Sequence, residues 1–164
     1  MGGDLGKIDE GKIREFRMGD VAVVAEIFRE AAEAAPWPEV ELRGAFDLTG
    51  VLAYLSERPD GIVGVVIGRR VGDEAEVLNL AVKPQRRRQG EGTRLVRKIL
   101  EEFADCGVSR VFLEVRQSNV GAIGFYERLG FQTAGLRRGY YQNPTEAAKV
   151  MELWVKKIHR VPGK

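Results

Sequence analysis

The side chains best placed for chemistry in this 164-residue chain are not the usual nucleophiles. Cys106 is the only cysteine, and His159, the only histidine, stands among Lys156, Lys157 and Arg160. A Cys–His or Ser–His nucleophilic pair has almost no material, an internal disulfide is excluded, and no cysteine cluster is present for zinc. No metal is expected. What remains is a phosphate cradle and two weak acids. The run Arg87-Arg88-Gln89-Gly90-Glu91-Gly92 comes after the apolar stretch 77–82 and precedes a helical pattern. A glycine-rich turn from strand into helix leaves main-chain N–H groups unpaired and aimed outward, where the helix dipole adds positive potential. Gly90 and Gly92 let a pyrophosphate approach the backbone, and Arg86, Arg87 and Arg88 add fixed charge at the rim. For a lone Gly-x-Gly, a basic loop that merely caps a helix is the plain alternative.

The weak acids are Glu114 and Tyr126, side chains able to accept and to donate a proton. Taken alone, Glu114 reads first as a solvated strand residue that pairs with Arg116 or a neighbour, and Tyr126 has a plain reading as a core tyrosine beside Ile123 and Leu129. Trp37, between Pro36 and Pro38, reads as core filler or as a ring presented to a groove. Tyr140 and Tyr141, beside Arg137 and Arg138, read as a groove wall or as an edge-strand surface.

These residues need positioning elements, and the hydrophobic pattern supplies them. Asp20 precedes a helical stripe of Val24, Ile27, Phe28 and Ala31 that should end near Ala34. A short second helix is expected over residues 40–46. The branched aliphatics of 51–55, 62–67 and 75–82, separated by Arg58-Pro59-Asp60-Gly61 and Val71-Gly72-Asp73, predict an antiparallel meander. Leu95, Val96, Ile99, Leu100 and Phe103 then form a helical stripe that Gly107 stops. Val111, Leu113 and Val115 alternate as one face of a strand, with Glu114 on the other. Ser118 or Asn119 can cap a helix carrying Ala122, Ile123, Tyr126 and Leu129. Residues 131–136 and 150–155 read as closing strands, with 137–148 as the loop between them. The order predicts an α/β chain whose mixed sheet has helices on both faces. The strand of Glu114 should lie alongside the one that feeds the cradle.

Composition sets the limits. Hydrophobic residues at 44% and charged residues at 30% suit a soluble globular protein, and the length suits one domain spanning 1–164 with a frayed lead-in of about ten residues. No apolar run approaches the roughly 20 residues that a membrane crossing needs, and the N-terminus shows neither signal nor anchor. A single cysteine fits a reducing cytoplasm. A net charge of +2 gives no global field for nucleic acid, and one short basic run without aromatic platforms is poor support for it.

The motifs together resemble one family. Leu80-Ala81-Val82, Pro84, the Arg87 to Gly92 run, Leu113-Glu114-Val115-Arg116, Ser118-Asn119, Ala122-Ile123, Phe125-Tyr126-Glu127, Leu129-Gly130-Phe131 and Arg137-Arg138-Gly139-Tyr140-Tyr141 are similar to the GNAT N-acetyltransferases. Within them the pattern resembles the RimI type, which acetylates the N-terminal alanine of a small-subunit ribosomal protein. The resemblance is dense over residues 77–155. It implies a mostly antiparallel sheet that splays at the strand before the cradle, with acetyl-CoA as cosubstrate in the gap. It also implies that the main chain of Leu80, Ala81 and Val82 pairs with the pantetheine arm. Arg87, Arg88, Gln89, Gly90, Glu91, Gly92 and Thr93 would hold the pyrophosphate, with Asn119 also at the cofactor. Glu114 would deprotonate the acceptor amine, the Val82 N–H would face the developing oxyanion, and Tyr126 would protonate the CoA thiolate in a ternary complex. Trp37, Arg137, Tyr140 and Tyr141 would line the acceptor groove. Two positions depart from the RimI pattern: Ala147 stands where an acid is expected and Pro38 where serine is usual. Both concern the acceptor. Lysine, a polyamine or another small amine is therefore an alternative acceptor, and a non-catalytic acyl-CoA-binding module an alternative of another class. Oligomeric state is not legible.

Overall fold

A computed structural model describes residues 11–31 and 33–155 of the chain. The N-terminal lead-in and His159 lie outside the described residues. The strands are β1 (Lys12–Glu15), β2 (Val51–Arg58), β3 (Gly61–Val71), β4 (Glu74–Val82), β5 (Arg110–Arg116), β6 (Gln132–Tyr141) and β7 (Glu146–Trp154). Among the described residues they form one seven-stranded sheet in the order β1-β2-β3-β4-β5-β7-β6. Neighbours are antiparallel except β4 and β5, which run parallel. The helices are α1 (Val21–Glu30), α2 (Glu39–Phe46), α3 (Glu91–Asp105) and α4 (Val120–Arg128).

Each face of the sheet buries its own core. On one, α3 and α4 pack Leu95, Ile99, Phe103 and Ile123 against Val66, Val77, Leu113 and Met151. On the other, α1 and α2 pack Val24, Ile27, Phe28 and Leu42 against Leu55, Val65 and Ile67. The alternation of Val65, Val66 and Ile67 between the two cores is the period of two expected for a strand covered on both faces.

Two features of β4 shape the site. Ile67 stands opposite Asn79 and Gly68 opposite Val77, so Leu78 is an extra, bulged residue. A bulge reverses the facing of the residues beyond it: Ala75 and Val77 point to the α3 core, whereas Ala81 points to the α1 core. Pairing with β5 also stops early, after Glu74–Arg110, Ala75–Val111 and Glu76–Phe112. Beyond that point β4 pairs with β3 and β5 with β7. The two strands part, and the main chain of 77–82 presents an edge to the gap.

The structure corrects several expected boundaries. β1 went unread because a four-residue edge strand, Lys-Ile-Arg-Glu, carries charge at both ends and only a short alternation. α1 ends at Glu30 rather than near Ala34, because Ala31 leaves helical geometry. The Asp20 side chain does not cap α1; it forms a two-pronged pair with Arg14 at 2.9 Å and accepts from the Arg17 N–H at 2.8 Å. The expected loop 137–148 is mostly strand, with only residues 142–145 turning between β6 and β7. β6 is the sheet edge and exposed along nearly its whole length, so it shows no apolar alternation to read. A bulge sets three residues, 138–140, against Ala147 between the pairs Arg137–Ala148 and Tyr141–Glu146.

Candidate active site

The glycine turn opens α3. Arg88 and Gly90 both take left-handed backbone, at φ 57 and φ 83, and the first helical hydrogen bond runs from the Arg94 N–H to the Gly90 carbonyl. The N–H groups of Glu91, Gly92 and Thr93 precede that bond and have no acceptor within the helix. A Cβ on Gly90 would meet nothing within 4 Å, so the space over the turn is open.

The arginine run divides its labour. Arg86 is paired with Asp60. Arg87 donates two bonds to Glu33 at 3.0 and 2.9 Å and one to the Val82 carbonyl, which ties it to the loop after α1 rather than to the turn. Arg88 has no acidic partner among the described residues, and Gln89 bonds the Gln85 carbonyl. Of the open β4 edge, Leu80 has its N–H engaged by the Asn79 side chain at 3.0 Å. Asn119 caps α4, its side chain accepting from the Ala122 N–H at 3.1 Å.

Glu91, between the two glycines, is fully buried, with its side chain turned away from the turn. It is paired with Arg58, accepts from the Ser56 hydroxyl, and lies 3.5 Å from Arg94, which also reaches the Gly11 carbonyl. Only its main-chain N–H is left to face a ligand. A signal for this existed in the sequence: Glu91 lies four residues before Leu95 and eight before Ile99, on the buried stripe of α3, where an acid needs a cation.

On the α1–α2 face, past the end of β4–β5 pairing, Glu114 is paired with Arg137 of β6. The carboxylate is the covered partner, its side chain 15% exposed against 55% for the arginine. Tyr140 stacks on Arg137, and its hydroxyl at the Glu114 carboxylate is pushed up to about 12 by that partner and by burial. Tyr141 lies edge-on to Tyr140 and beneath Arg116, which bonds Glu146. Trp37 combines its two readings: it packs against Phe28 in the core and lines a groove with Glu41, Leu48, Arg69, Glu76 and Leu78. A second groove, lined by Phe112, Glu114, Arg137 and Val150, adjoins it and shares Arg69 and Glu76. The sequence singled out neither Arg69, Glu76 nor Leu78; only the bulge and the parting of the strands bring them together.

Tyr126 lies on the opposite, α3–α4 face, buried against Phe125 and Phe131. Burial, with a smaller effect of Tyr141, holds its phenol well above the ordinary value, so it is a neutral proton donor at any working pH. Glu114 and Tyr126 thus flank the parted strands from opposite faces of the sheet. The gap can admit an acyl donor along the β4 edge and an amine from the Glu114 side.

Residues 22–131 match the family model described as acetyltransferase (GNAT) family. The chain belongs to the GNAT acetyltransferases. These enzymes use acetyl-CoA as cosubstrate. The [ribosomal protein bS18]-alanine N-acetyltransferase of Escherichia coli K12 is 48% identical to this GNAT chain over 112 residues, 68% of this chain and 75% of the relative. The crystal structure of the E. coli ribosomal-protein-S18-alanine N-acetyltransferase superposes with a TM-score of 0.81, covering 93% of this chain and 99% of the other at 30% identity. That identity is taken over nearly the whole chain, which accounts for the lower figure. The structure of Ard1 from Thermoplasma volcanium superposes at 0.80 with 27% identity, covering 90% and 99%. This GNAT chain is an N-acetyltransferase with a mixed sheet and helices on both faces. No helix of the described residues is long and apolar enough to cross a membrane.

Proposed function

We propose that the chain transfers the acetyl group of acetyl-CoA to the N-terminal α-amino group of a protein, with the N-terminal alanine of a small-subunit ribosomal protein as acceptor, in the cytoplasm. The observation that carries this is the 48% identity to the E. coli enzyme named for that substrate. An α-amino group, with a pKa near 8, gives up its proton more readily than a lysine near 10.4, which suits a site whose bases are carboxylates.

The residues present fit acetyl-CoA. The open edge at Leu80, Ala81 and Val82 offers main-chain partners to a pantetheine arm, Asn119 at the cap of α4 would meet the same cosubstrate, and the turn from Arg88 to Thr93 offers N–H groups and one uncommitted guanidinium to a diphosphate. When bound, this cosubstrate supplies a thioester carbonyl as electrophile and a thiolate as leaving group. Glu114 draws in the acceptor ammonium and removes its proton, directly or through a water. Tyr126, kept protonated by burial, donates to the sulfur as it leaves. Trp37 lines the acceptor groove, Arg137 sets the position of Glu114, and Tyr140, stacked on Arg137 with Tyr141 edge-on to it, would meet the acceptor from the β6 side.

An acetyl-transfer assay over alanine-terminated peptides, lysine peptides, polyamines and small amines tests the function. Turnover is expected to be fastest with the alanine peptides. Preference for a lysine or a small amine replaces the acceptor, and binding without turnover on any amine replaces the enzyme with a binding module. Gly90→Val is expected to raise the Kd for CoA about tenfold or more, measured by calorimetry. Its side chain clashes with nothing in the protein, so the loss reports the ligand's space together with the strain of left-handed backbone. Gly90→Ala carries that strain, about 1–2 kcal/mol, without the bulk. An unchanged Kd in Gly90→Val removes the cradle from the site.

A further inference from the structure

We propose that the bare face of β5 and β7 is the docking track for the acceptor protein, holding its extended chain from the acetylated amine as far as Trp154. The proposal deepens the reading above, that the acceptor is a protein N-terminus, and rests on it.

Strand periodicity places the tryptophan. Met151 and Leu153 pack in the α3–α4 core, so the period of two turns Val150, Glu152 and Trp154 to the opposite face of β7. On that face α1 and α2 bury residues of β2, β3 and β4, but none of β5, β6 or β7 among the described residues. Trp154 is therefore left 63% exposed, and Val71, on the β3 side of the same face, 65%.

An isolated exposed ring would be ordinary, but this one is held in place. The Arg110 guanidinium lies 4.3 Å from the ring centre of Phe112 and 4.9 Å from that of Trp154, and Glu152 pins it at 2.7 Å. The ring offers its exposed part with little rotamer freedom left to lose, the condition under which a tryptophan contributes most to binding.

The occupant follows from where the groove begins. Register joins Val71, Glu74, Arg110 and Trp154 in one row across the sheet. The groove lined by Glu114, Phe112, Glu74 and Val71 ends at this row. Glu114 lines that groove and not the neighbouring one at Trp37, so a chain attached to an amine at Glu114 leaves along it. Four residues of β5 separate Glu114 from Arg110, about 13 Å at ~3.3 Å per residue. An extended peptide covers about the same distance in as many residues, which puts its fourth or fifth side chain at Trp154. Residues 110–112 of β5 are already paired on both sides, so the peptide lies across side chains instead of adding a strand. Within the row, the Glu74 and Arg110 charges lie 3.8 Å apart and offset each other. Val71 and Trp154 then make the ends of the row fit for an apolar side chain.

Acceptor peptides of graded length test this on the full chain. In the wild type, KM is expected to fall from an alanine-terminated tripeptide to an octapeptide with leucine at its fourth and fifth residues. Trp154→Ala is expected to raise the octapeptide KM about tenfold, as loss of an interface anchor does, while kcat, the tripeptide KM and the Kd for acetyl-CoA stay within about twofold. Val71→Asp, at a second exposed position, is expected to act in the same direction. Replacing the two leucines by glycine should raise KM in the wild type and not in Trp154→Ala, the non-additivity of a shared contact. An octapeptide KM that Trp154→Ala leaves unchanged overturns the proposal, and so does an equal rise for the tripeptide. A wild-type chain that sediments as a dimer, with Trp154→Ala a monomer, gives the face to a second copy and overturns it too. A wild-type chain that prefers lysine, a polyamine or no amine sinks the reading of the acceptor instead, which keeps the two failures apart.

Discussion

Glu114→Gln is expected to lower kcat with an alanine-terminated peptide by about 10²-fold or more while the Kd for acetyl-CoA stays within about twofold. The carboxylate lies on the α1–α2 face beyond the point where β4 and β5 separate, whereas the glycine turn opens α3 on the other face. Removing the charge takes away the anchor for the incoming ammonium and leaves Arg137 without its partner. That arginine is 55% exposed, so the cost in folding stability is small, and a fall in kcat cannot be charged to unfolding. The pH effect has a definite sign. With Glu114 neutral, Glu76 loses the neighbouring negative charge that raises its pKa and keeps the pull of Arg137 and Arg69. The Glu76 carboxyl should therefore titrate at lower pH in this variant, which an NMR titration of the glutamate carboxyl carbons checks. Turnover equal to that of the wild type would exclude Glu114 as the base.

Glu91→Leu should produce the largest loss of stability, about 3–5 kcal/mol, the cost of breaking a buried pair from one side. The substitution matches the apolar stripe of α3 formed by Leu95 and Ile99, so pattern alone would rate it harmless or better. The obstacle is Arg58, whose side chain is 12% exposed and which would lose its carboxylate, along with the acceptor of the Ser56 hydroxyl. For a domain of this length each kcal/mol moves Tm by about 2–4 °C, so a fall on the order of 10 °C is expected in a thermal melt. Arg58→Met combined with Glu91→Leu should recover most of it, because an apolar replacement of both partners leaves no orphaned charge. An unchanged Tm in Glu91→Leu would show that the buried carboxylate contributes nothing to folding. The same pair fixes the first turn of α3 to β2, so the single variant is also expected to weaken acetyl-CoA binding.

Legibility tracked the range of the interaction. The helix over Leu95 to Phe103, the alternation of Val111, Leu113 and Val115, and the cap at Asn119 depend on neighbours within a few residues, and composition displays them. The polar strand β6 and the short edge strand β1 were not legible, because an edge exposed to water imposes no apolar period. The bulge at Leu78 was not legible either: a run of apolar residues reads the same with or without an extra member.

By itself, then, the order of residues determined the mixed sheet with helices on both faces, the glycine turn that opens α3, and membership of the GNAT family. Those depend on hydrophobic period and on motifs whose members are close in sequence. Only the tertiary structure decided the partners of the charged groups. Glu91 meets Arg58 across 33 positions, Arg87 meets Glu33 across 54, and Glu114 meets Arg137 across 23. It also decided that Glu76 stands where β4 and β5 part. A charge carries no mark of its partner in the local sequence, because Coulomb attraction acts on distance in space, and the sheet register sets that distance.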